Sequence, residues 1–134
     1  MSVIVTDGGF GSDAFAGCFA TLDSQAANAT GLDLASDADP LALDDLDRWA
    51  LIRIDFPSFA DGRGFSIARA LRQRGYGGTL RARGHVIADQ YAMARRSGFD
   101  EVEISDDLAA RQPEGDWLAR ANWTAHDYQS RMRG

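Results

Sequence analysis

Three strands alternating with two helices stand out in the pattern of apolar and polar positions along the chain. The predicted strands are residues 49–56, 79–83 and 99–104, and the predicted helices are residues 65–74 and 87–97. The first strand is almost continuously apolar, which is typical of a strand covered on both faces, and Pro57 ends it. Gly75 and Gly98 follow the two amphipathic helices as C-terminal caps. This alternation predicts two right-handed crossovers and therefore a parallel sheet.

Weaker signals flank this region. We interpret residues 1–30, which are rich in Gly, Ala, Ser and Asp, as an irregular lead-in with one short strand at residues 3–5, and residues 31–134 as a single α/β domain. The weaker elements of this domain are a strand at residues 31–34, a helix starting at Asp39 and Pro40 and ending at Asp47, and helices from Asp106 onward, the last around Tyr128 and Met132. The sequence thus predicts a small, mainly parallel sheet built from consecutive βαβ units, covered by helices and followed by a C-terminal helical tail.

Length and cysteine content narrow the classes of protein. A chain of 134 residues is one domain long, and its 45% apolar content is ordinary for a globular protein. The single cysteine, Cys18, excludes an internal disulfide framework, a thiolate zinc site and a cysteine-ligated iron–sulfur cluster, and it favours a reducing, cytoplasmic location. No apolar run is long enough for a membrane span and the amino terminus has no secretory signal pattern, so we expect no membrane partner.

Charge is distributed unevenly along the chain. Residues 1–47 carry a net charge of −9, residues 48–98 carry +7 and residues 99–134 carry −4, which leaves the whole chain at −6. The acidic total argues against nucleic-acid binding, because phosphates would repel most of the chain. All 14 basic residues are arginines. Two explanations stay open: the base composition of the genome, or guanidinium groups kept to bind oxyanions through paired hydrogen bonds.

Two loops after the predicted strands contain the candidate site, because ligands of open parallel sheets collect at the carboxyl ends of the strands. In residues 61–66, glycines flank Arg63 and a helix opens near Ser66, which suits an oxyanion. The second loop contains His85 and the turn at residues 89–90, and neighbouring strands should bring both loops to one pocket. The predicted anion-binding residues are Gly62, Arg63, Gly64, Ser66, Arg81, Arg83 and Gln90, and the candidate general bases are Asp61 and Asp89.

Each candidate also has a purely structural interpretation. The two glycines can form a tight turn that is capped by the Asp61 side chain. The charge of Asp89 can interact favourably with the dipole at the start of a helix. Ser66 suits the role of a helix N-cap better than that of a nucleophile. An ion-pair lattice across the sheet explains Arg53, Asp55, Arg81 and Arg83 as well as a site does. The helical arginines Arg69, Arg72, Arg95 and Arg96 are interpreted as solvated. His85 and His126, the only histidines, do not predict a metal site.

A longer set of short motifs extends through most of the chain. The residues concerned are 55–57, 61–66, 68–69, 71–72, 80–82, 84, 89–90 and 98–100, with 4, 7–8, 13, 37–40 and 128–129 at the flanks. On these residues the chain resembles a bacterial family, domain of unknown function number 934, whose members are often labelled as oxidoreductases of sulfite reduction and whose genes tend to lie beside those for assimilatory sulfite reductase. The resemblance adds weight to Asp61, Arg63, Ser66, Arg69, Arg72, Arg81, Asp89 and Gln90. The chain departs from the family pattern at Thr79 and His85, where Glu and Asp are expected, and in a shorter segment between Asp13 and Gly31.

Three functions stay open at this point. The resemblance implies an accessory protein of sulfite and sulfate reduction, which binds a small oxyanion or docks on sulfite reductase through the Arg63 loop. The alternative is a catalyst in the same pathway, acting on a phosphorylated or sulfonated metabolite with Asp61 or Asp89 as general base. A third is an assembly factor that uses Arg69, Arg72 or the C-terminal aromatic residues. No cofactor is predicted, since the chain has no dinucleotide-binding glycine motif, and a homo-oligomer is compatible with each function.

Overall fold

A seven-stranded sheet forms the centre of the computed structural model, which describes residues 2–22 and 28–123. The strands are β1 (Ser2–Thr6), β2 (Gly9–Gly11), β3 (Phe19–Ala20), β4 (Gly31–Leu34), β5 (Leu51–Phe56), β6 (Thr79–Gly84) and β7 (Glu101–Ser105). The helices are α1 (Arg63–Gln73), α2 (Tyr91–Ser97), α3 (Asp106–Arg111) and α4 (Glu114–Leu118). The sheet order is β2-β1-β7-β6-β5-β4-β3, with β3 to β7 parallel and β1 and β2 antiparallel. The predicted α/β fold with a mainly parallel sheet is confirmed.

The predicted alternation of strands and helices from β5 to β7 is also confirmed. β5, β6 and β7 are parallel neighbours, and α1 and α2 connect them in turn. Gly75 and Gly98 have φ angles of +93° and +116°, so both adopt the left-handed conformation expected where a helix ends. β1 pairs with β7 on the side away from β6, so β7 is a central strand of the sheet.

The first helix begins earlier than predicted. Arg63 is its first residue and Gly62 is its N-cap residue, with no side-chain cap. Ser66 therefore lies inside α1, and its interpretation as the N-cap is wrong. The cause is Asp61, whose carboxylate accepts a hydrogen bond from the Arg63 backbone N–H at 3.1 Å and so fixes the start of the helix.

The helix predicted between Asp39 and Asp47 is wrong. This segment forms turns, followed by one 3-10 turn at Leu46–Arg48. The Asp39 carboxylate accepts the backbone N–H of Leu41 at 2.9 Å, a local turn that competes with helix, and Asp45 is in the left-handed region with a φ of 57°.

The amino-terminal segment contributes three strands where the sequence indicated one. β1 and β2 form a hairpin whose first strand pairs antiparallel with β7, while β3 pairs parallel with β4 at the opposite edge. These pairings join residues far apart in sequence, so local patterns do not reveal them. After β7, Ser105 caps the start of α3, because its hydroxyl accepts the Leu108 N–H at 3.1 Å. The predicted last helical segment, around Tyr128 and Met132, lies outside the described residues.

The two faces of the sheet differ in chemistry. β4, β5, β6 and β7 follow chain order across the sheet, so their right-handed crossovers put α1 and α2 on the same face, where the two helices contact each other. Side chains such as Ile52, Ile54 and Leu80 are buried there. We call the opposite side the open face; it bears Asp33, Arg53, Asp55, Arg81, Arg83, Glu101 and Glu103. Among the described residues no helix is long and apolar enough to cross a membrane.

A close contact between α1 and β5 fixes the position of the Arg63 loop. A Cβ atom on Gly64 would lie 2.5 Å from the Phe56 ring, which is itself packed against Phe65 and Phe99 with ring centroids 5.0 and 5.8 Å away. Gly62 has no such neighbour, since the nearest heavy atom to its Cβ position is 3.8 Å away. Gly64 is therefore required by packing, whereas Gly62 is not.

Replacing these glycines separates packing from loop conformation. We expect Gly64→Ala to lower the free energy of unfolding by about 1–3 kcal/mol, because the Phe56 ring has no space to move. The matched change Gly62→Ala meets no steric conflict and should cost less, about 0.5 kcal/mol, because alanine is a poorer N-cap residue than glycine. Urea denaturation followed by circular dichroism measures both values, and equal losses would contradict the packing role of Gly64.

Candidate functional site

The two loops of the predicted site lie side by side at the carboxyl edge of the sheet, where β4 to β7 end. The Gln90 side-chain amide donates a hydrogen bond to the Phe59 carbonyl at 3.0 Å. The His85 ring packs edge-on against the Phe59 ring, with centroids 5.1 Å apart, and its Nδ1 atom lies 3.3 Å from the Phe56 carbonyl oxygen. The expectation that both loops emerge at one edge is confirmed, because β5 and β6 are parallel neighbours.

Arg63 is held rigidly at this edge by two neighbours. Its Nε and Nη2 atoms donate to the two carboxylate oxygens of Asp61 at 3.0 and 2.7 Å. Nη2 also donates to the Ser36 hydroxyl at 2.9 Å. The Arg63 side chain nevertheless remains 61% exposed. The guanidinium is therefore fixed in place, and its Nη1 atom makes no hydrogen bond to a described residue.

Asp61 occupies the position that a bound oxyanion would take in this loop. Its carboxylate accepts the Arg63 side chain and the Arg63 backbone N–H together. These hydrogen bonds, first those of the side chain and then that of the backbone, hold the pKa of Asp61 well below its usual range. A carboxylate of such low pKa accepts a proton poorly near neutral pH, so the geometry disfavours Asp61 as a general base.

The other candidates of the two loops already have structural partners or lie apart. Both ends of the Gln90 amide are used, because its oxygen accepts the Ile87 N–H at 3.0 Å while its nitrogen binds Phe59. Asp89 is 72% exposed and forms an ion pair with Arg120 at 2.7 Å. Ser66 is exposed on α1. The loops are thus adjacent, but their polar groups do not converge on one empty pocket.

The open face carries the ion-pair lattice that the sequence left as an alternative. Two rows of charged residues cross the strands in register. The first row is Asp33, Arg53, Arg81 and Glu101, and the second is Asp55, Arg83 and Glu103. Arg53 donates to Asp33 at 2.6 Å and to Glu103 at 3.0 Å. It also lies over the Phe19 ring, 3.8 Å from the ring centroid.

Arg81 is the centre of this lattice. Only 2% of its side chain is exposed, and it donates to Glu101 at 2.6 Å and to Glu103 and Asp13 at 2.9 Å each. Burial alone would lower the pKa of Arg81, but the three carboxylates outweigh burial and raise it. Every guanidinium nitrogen of Arg81 donates to a carboxylate. Arg81, one of the predicted anion-binding residues, therefore has a structural role on the open face.

Arg83, two residues further along β6, is in a different situation. Its side chain is 50% exposed, and its only ion pair within the described residues is a 3.5 Å contact with Glu103. Asp55 stands beside it on β5, in register, and makes no hydrogen bond or ion pair to any described residue. Both residues line two cavities at the end of the open face, of about 360 and about 600 Å³.

Arg72 and Arg95 are not the solvated helical arginines that their sequence positions suggested, so this interpretation is wrong for both. Arg72 donates to the carbonyl oxygens of Tyr76, Gly78 and Gly98 at 2.8 to 3.0 Å, and to the Asp100 carboxylate at 2.8 Å. It thereby ties the end of α1 to the end of α2. Arg95 pairs with Asp7 at 3.2 Å and stacks on Trp123. The sequence feature that could have indicated these contacts is the position of both arginines near the C-terminus of a helix, where arginines can bind the last carbonyl groups.

Asp7 joins β1 to α2 at the amino edge of the sheet. It accepts hydrogen bonds from the Tyr91 hydroxyl at 2.5 Å and from the Trp123 ring at 3.2 Å. Burial raises the pKa of Asp7, but these hydrogen bonds and the charge of Arg95 outweigh it and lower the pKa overall.

Within the described ranges no three His, Cys, Asp or Glu side chains are grouped to hold a metal ion, and His126 lies outside those ranges.

Two arginines on the same face of β6 provide a direct test of this geometry. We expect Arg81→Met to lower the free energy of unfolding by about 3–5 kcal/mol, because it leaves buried carboxylates without their counter-charge. Arg83→Met should cost less than about 1 kcal/mol, since its one ion pair is long and solvent-exposed. Chemical denaturation at pH 7 measures both. Similar losses for the two variants would argue against a structural role confined to Arg81.

The contact between Asp13 and Arg81 should make stability depend on pH. The hydrogen bonds from Arg81 lower the pKa of Asp13 in the folded protein. The stabilisation is therefore present above the pKa of the unfolded chain, about 3.9, and is lost as the pH falls through the lower folded value. Because Asp13 is 35% exposed, we expect Asp13→Asn to cost about 0.5–1 kcal/mol at pH 7.

This difference should stay constant from pH 7 to pH 5 and shrink below about pH 4, near the pKa of the unfolded carboxyl. Urea denaturation of both proteins across this range measures it, with Ser12→Ala as the control at the neighbouring exposed position. A difference that does not change down to pH 3 would mean that the Asp13 charge has no part in it.

Comparisons with known proteins place the chain in a family. No curated protein and no solved structure matches it significantly. A family model described as "Bacterial protein of unknown function (DUF934)" matches residues 31–134, which is more than half of the chain. The matched region begins with β4 and includes α1, the Arg63 loop and the charged strands β5 to β7. The chain therefore belongs to this family of bacterial proteins of unknown function.

Proposed function

We propose that this protein is an accessory of assimilatory sulfite reduction that docks on sulfite reductase through Arg63. The observation that carries the proposal is the double anchoring of Arg63 by Asp61 and Ser36 while 61% of its side chain stays exposed. An arginine fixed before binding loses little conformational entropy when a partner engages it. Such arginines are common among the residues that dominate protein interfaces.

A second feature of the same loop supports docking. Phe59, four residues before Arg63, is 43% exposed. The His85 ring and the Gln90 amide contact Phe59, so the segment that follows β6 supports the loop. Aromatic and arginine side chains together are the usual centre of an interface. The carboxyl edge thus offers an apolar contact beside a guanidinium group held in a fixed orientation.

The geometry supports docking better than capture of a small free oxyanion. Asp61 already holds the Arg63 guanidinium and backbone N–H, so a free dianion would have to displace a carboxylate tethered two residues away. Docking requires no displacement, because Nη1 has no hydrogen-bond partner among the described residues and can donate to a carboxylate of the partner. For the same reason binding is favoured over catalysis, since Asp61 is engaged and Asp89 pairs with Arg120 in solvent.

The cellular setting is part of the proposal. The sulfite-reduction context comes from the family resemblance and the gene neighbourhood typical of that family. We also propose a cytoplasmic location, in keeping with the single free cysteine, Cys18, which is exposed. Exposed thiols persist in reducing compartments.

Binding of the purified chain to purified sulfite reductase tests the proposal. By biolayer interferometry we expect Arg63→Ala to weaken the complex by about 30-fold, the loss of about 2 kcal/mol that marks a dominant interface residue. Arg63→Lys should recover only part of the affinity, because an ammonium group cannot keep both bonds to Asp61. The matched control is Arg69→Ala, on the exposed side of α1, which should bind as the unaltered chain does.

Two outcomes would contradict the proposal. Unchanged affinity for Arg63→Ala with a large loss for Arg69→Ala would move the docking surface to α1, as expected of the assembly factor. Absence of any complex with the unaltered chain would remove sulfite reductase as the partner.

A further inference from the structure

Asp55 and Arg83 are the two members of the charged lattice that lack close partners. Every acid and arginine of the first row has a hydrogen bond of 3.0 Å or less within the lattice. Arg83 has only the 3.5 Å contact with Glu103, and Asp55 has no polar partner among the described residues. The two side chains emerge in register from neighbouring strands and still do not pair with each other. Charged groups left in this state at a cavity are typical of a ligand site.

The charge of the open face determines what kind of ligand fits. The lattice includes five carboxylates, from Asp13, Asp33, Asp55, Glu101 and Glu103. Three guanidinium groups face them, from Arg53, Arg81 and Arg83. The excess of negative charge disfavours a simple anion beside Arg83 and favours a group that brings positive charge to Asp55. Arg83 still offers donors to a carboxylate.

The volume and the lining of the two cavities indicate the size of the ligand and show that part of it is apolar. Asp55 and Arg83 line both cavities, of about 360 and about 600 Å³, which lie in the range of small-molecule sites. The smaller cavity has an apolar wall formed by Leu22, Ala35 and Ala38. The ligand that fits these walls and charges is small, aliphatic and zwitterionic.

We propose that Asp55 and Arg83 form a binding site for a small aliphatic amino acid or a close derivative of one. Its ammonium group donates to the Asp55 carboxylate, and its carboxylate accepts from the Arg83 guanidinium. The aliphatic side chain lies against Leu22 and Ala38 in the smaller cavity. No residue of this site belongs to the Arg63 loop, and the inference does not depend on the proposed function.

Three probes of nearly the same shape test the charge requirement. L-valine carries both charged groups, 3-methylbutanoate lacks the ammonium group, and isobutylamine lacks the carboxylate. Titrations of the full chain at pH 7 are followed by backbone amide shifts in NMR spectra. We expect L-valine to bind at least 10-fold more tightly than either truncated probe, with shifts concentrated at Asp55, Arg83 and Leu22.

Two variants test whether Asp55 recognises the ammonium group of the ligand and Arg83 its carboxylate. Asp55→Asn should remove the preference for L-valine over 3-methylbutanoate, and Arg83→Gln should remove the preference for L-valine over isobutylamine. Asp107→Asn, an exposed carboxylate on α3, is the matched control and should leave all three affinities unchanged. The circular dichroism spectrum of each variant verifies that the fold is kept.

Several results would overturn the proposal. These are equal affinity for the three probes, tighter binding of 3-methylbutanoate than of L-valine, or no binding of L-valine at millimolar concentration. Preferences that survive in Asp55→Asn and Arg83→Gln would place the site elsewhere. Arg63→Ala should bind L-valine as the unaltered chain does, so failure of the docking proposal and failure of this one are distinguishable.

Discussion

The contact of Glu103 with three arginines is the interaction on which the open face depends. Glu103 lies on β7, is only 7% exposed, and meets Arg53 from β5 and both Arg81 and Arg83 from β6. One carboxylate therefore links three parallel strands through their side chains. Isolated ions in such a place would be destabilising, so Arg81 and Glu103, the buried members of the lattice, are stable there only with their partners in place. This constraint explains how the sheet keeps one face on which no described residue forms a helical layer, whereas most parallel sheets bury both faces under apolar side chains.

The elements with strong periodic signals could be predicted from the sequence. The run that forms β5 and the glycines that end α1 and α2 specify strand and helix through interactions within a few residues. The segment after Asp39 could not be predicted from periodicity, because the Asp39 side chain accepts the Leu41 N–H and a turn replaces the helix. β1 and β2 show another limit, since β1 takes its place from pairing with β7, about a hundred residues away.

The candidate site was predictable in position but not in chemistry. Parallel strands and short loops were enough to place the Arg63 loop beside Gln90. Which arginine is available depends on which carboxylates reach it, and that is decided by long-range packing. Arg81 and Arg83 are equivalent in the sequence pattern, yet Asp13 and Glu101 enclose the first and leave the second half exposed. Arg72 looked solvated for a related reason, because its partners lie beyond its own helix, in the turn after α1 and at Gly98 and Asp100 after α2.

The Arg63 loop contains its own anion, and this changes what the loop can do. Asp61 is two residues from Arg63, so its carboxylate is present at an effective concentration of about millimolar or more. A free oxyanion must displace the Asp61 carboxylate from this position. It must therefore break two hydrogen bonds to the Arg63 side chain and one to the Arg63 backbone N–H. A partner protein avoids the competition by using only the outer edge of the guanidinium, with Asp61 left in place to orient it. The same residues that resemble an oxyanion cradle in the sequence thus act, in the folded chain, as a rigid arginine presented to a surface.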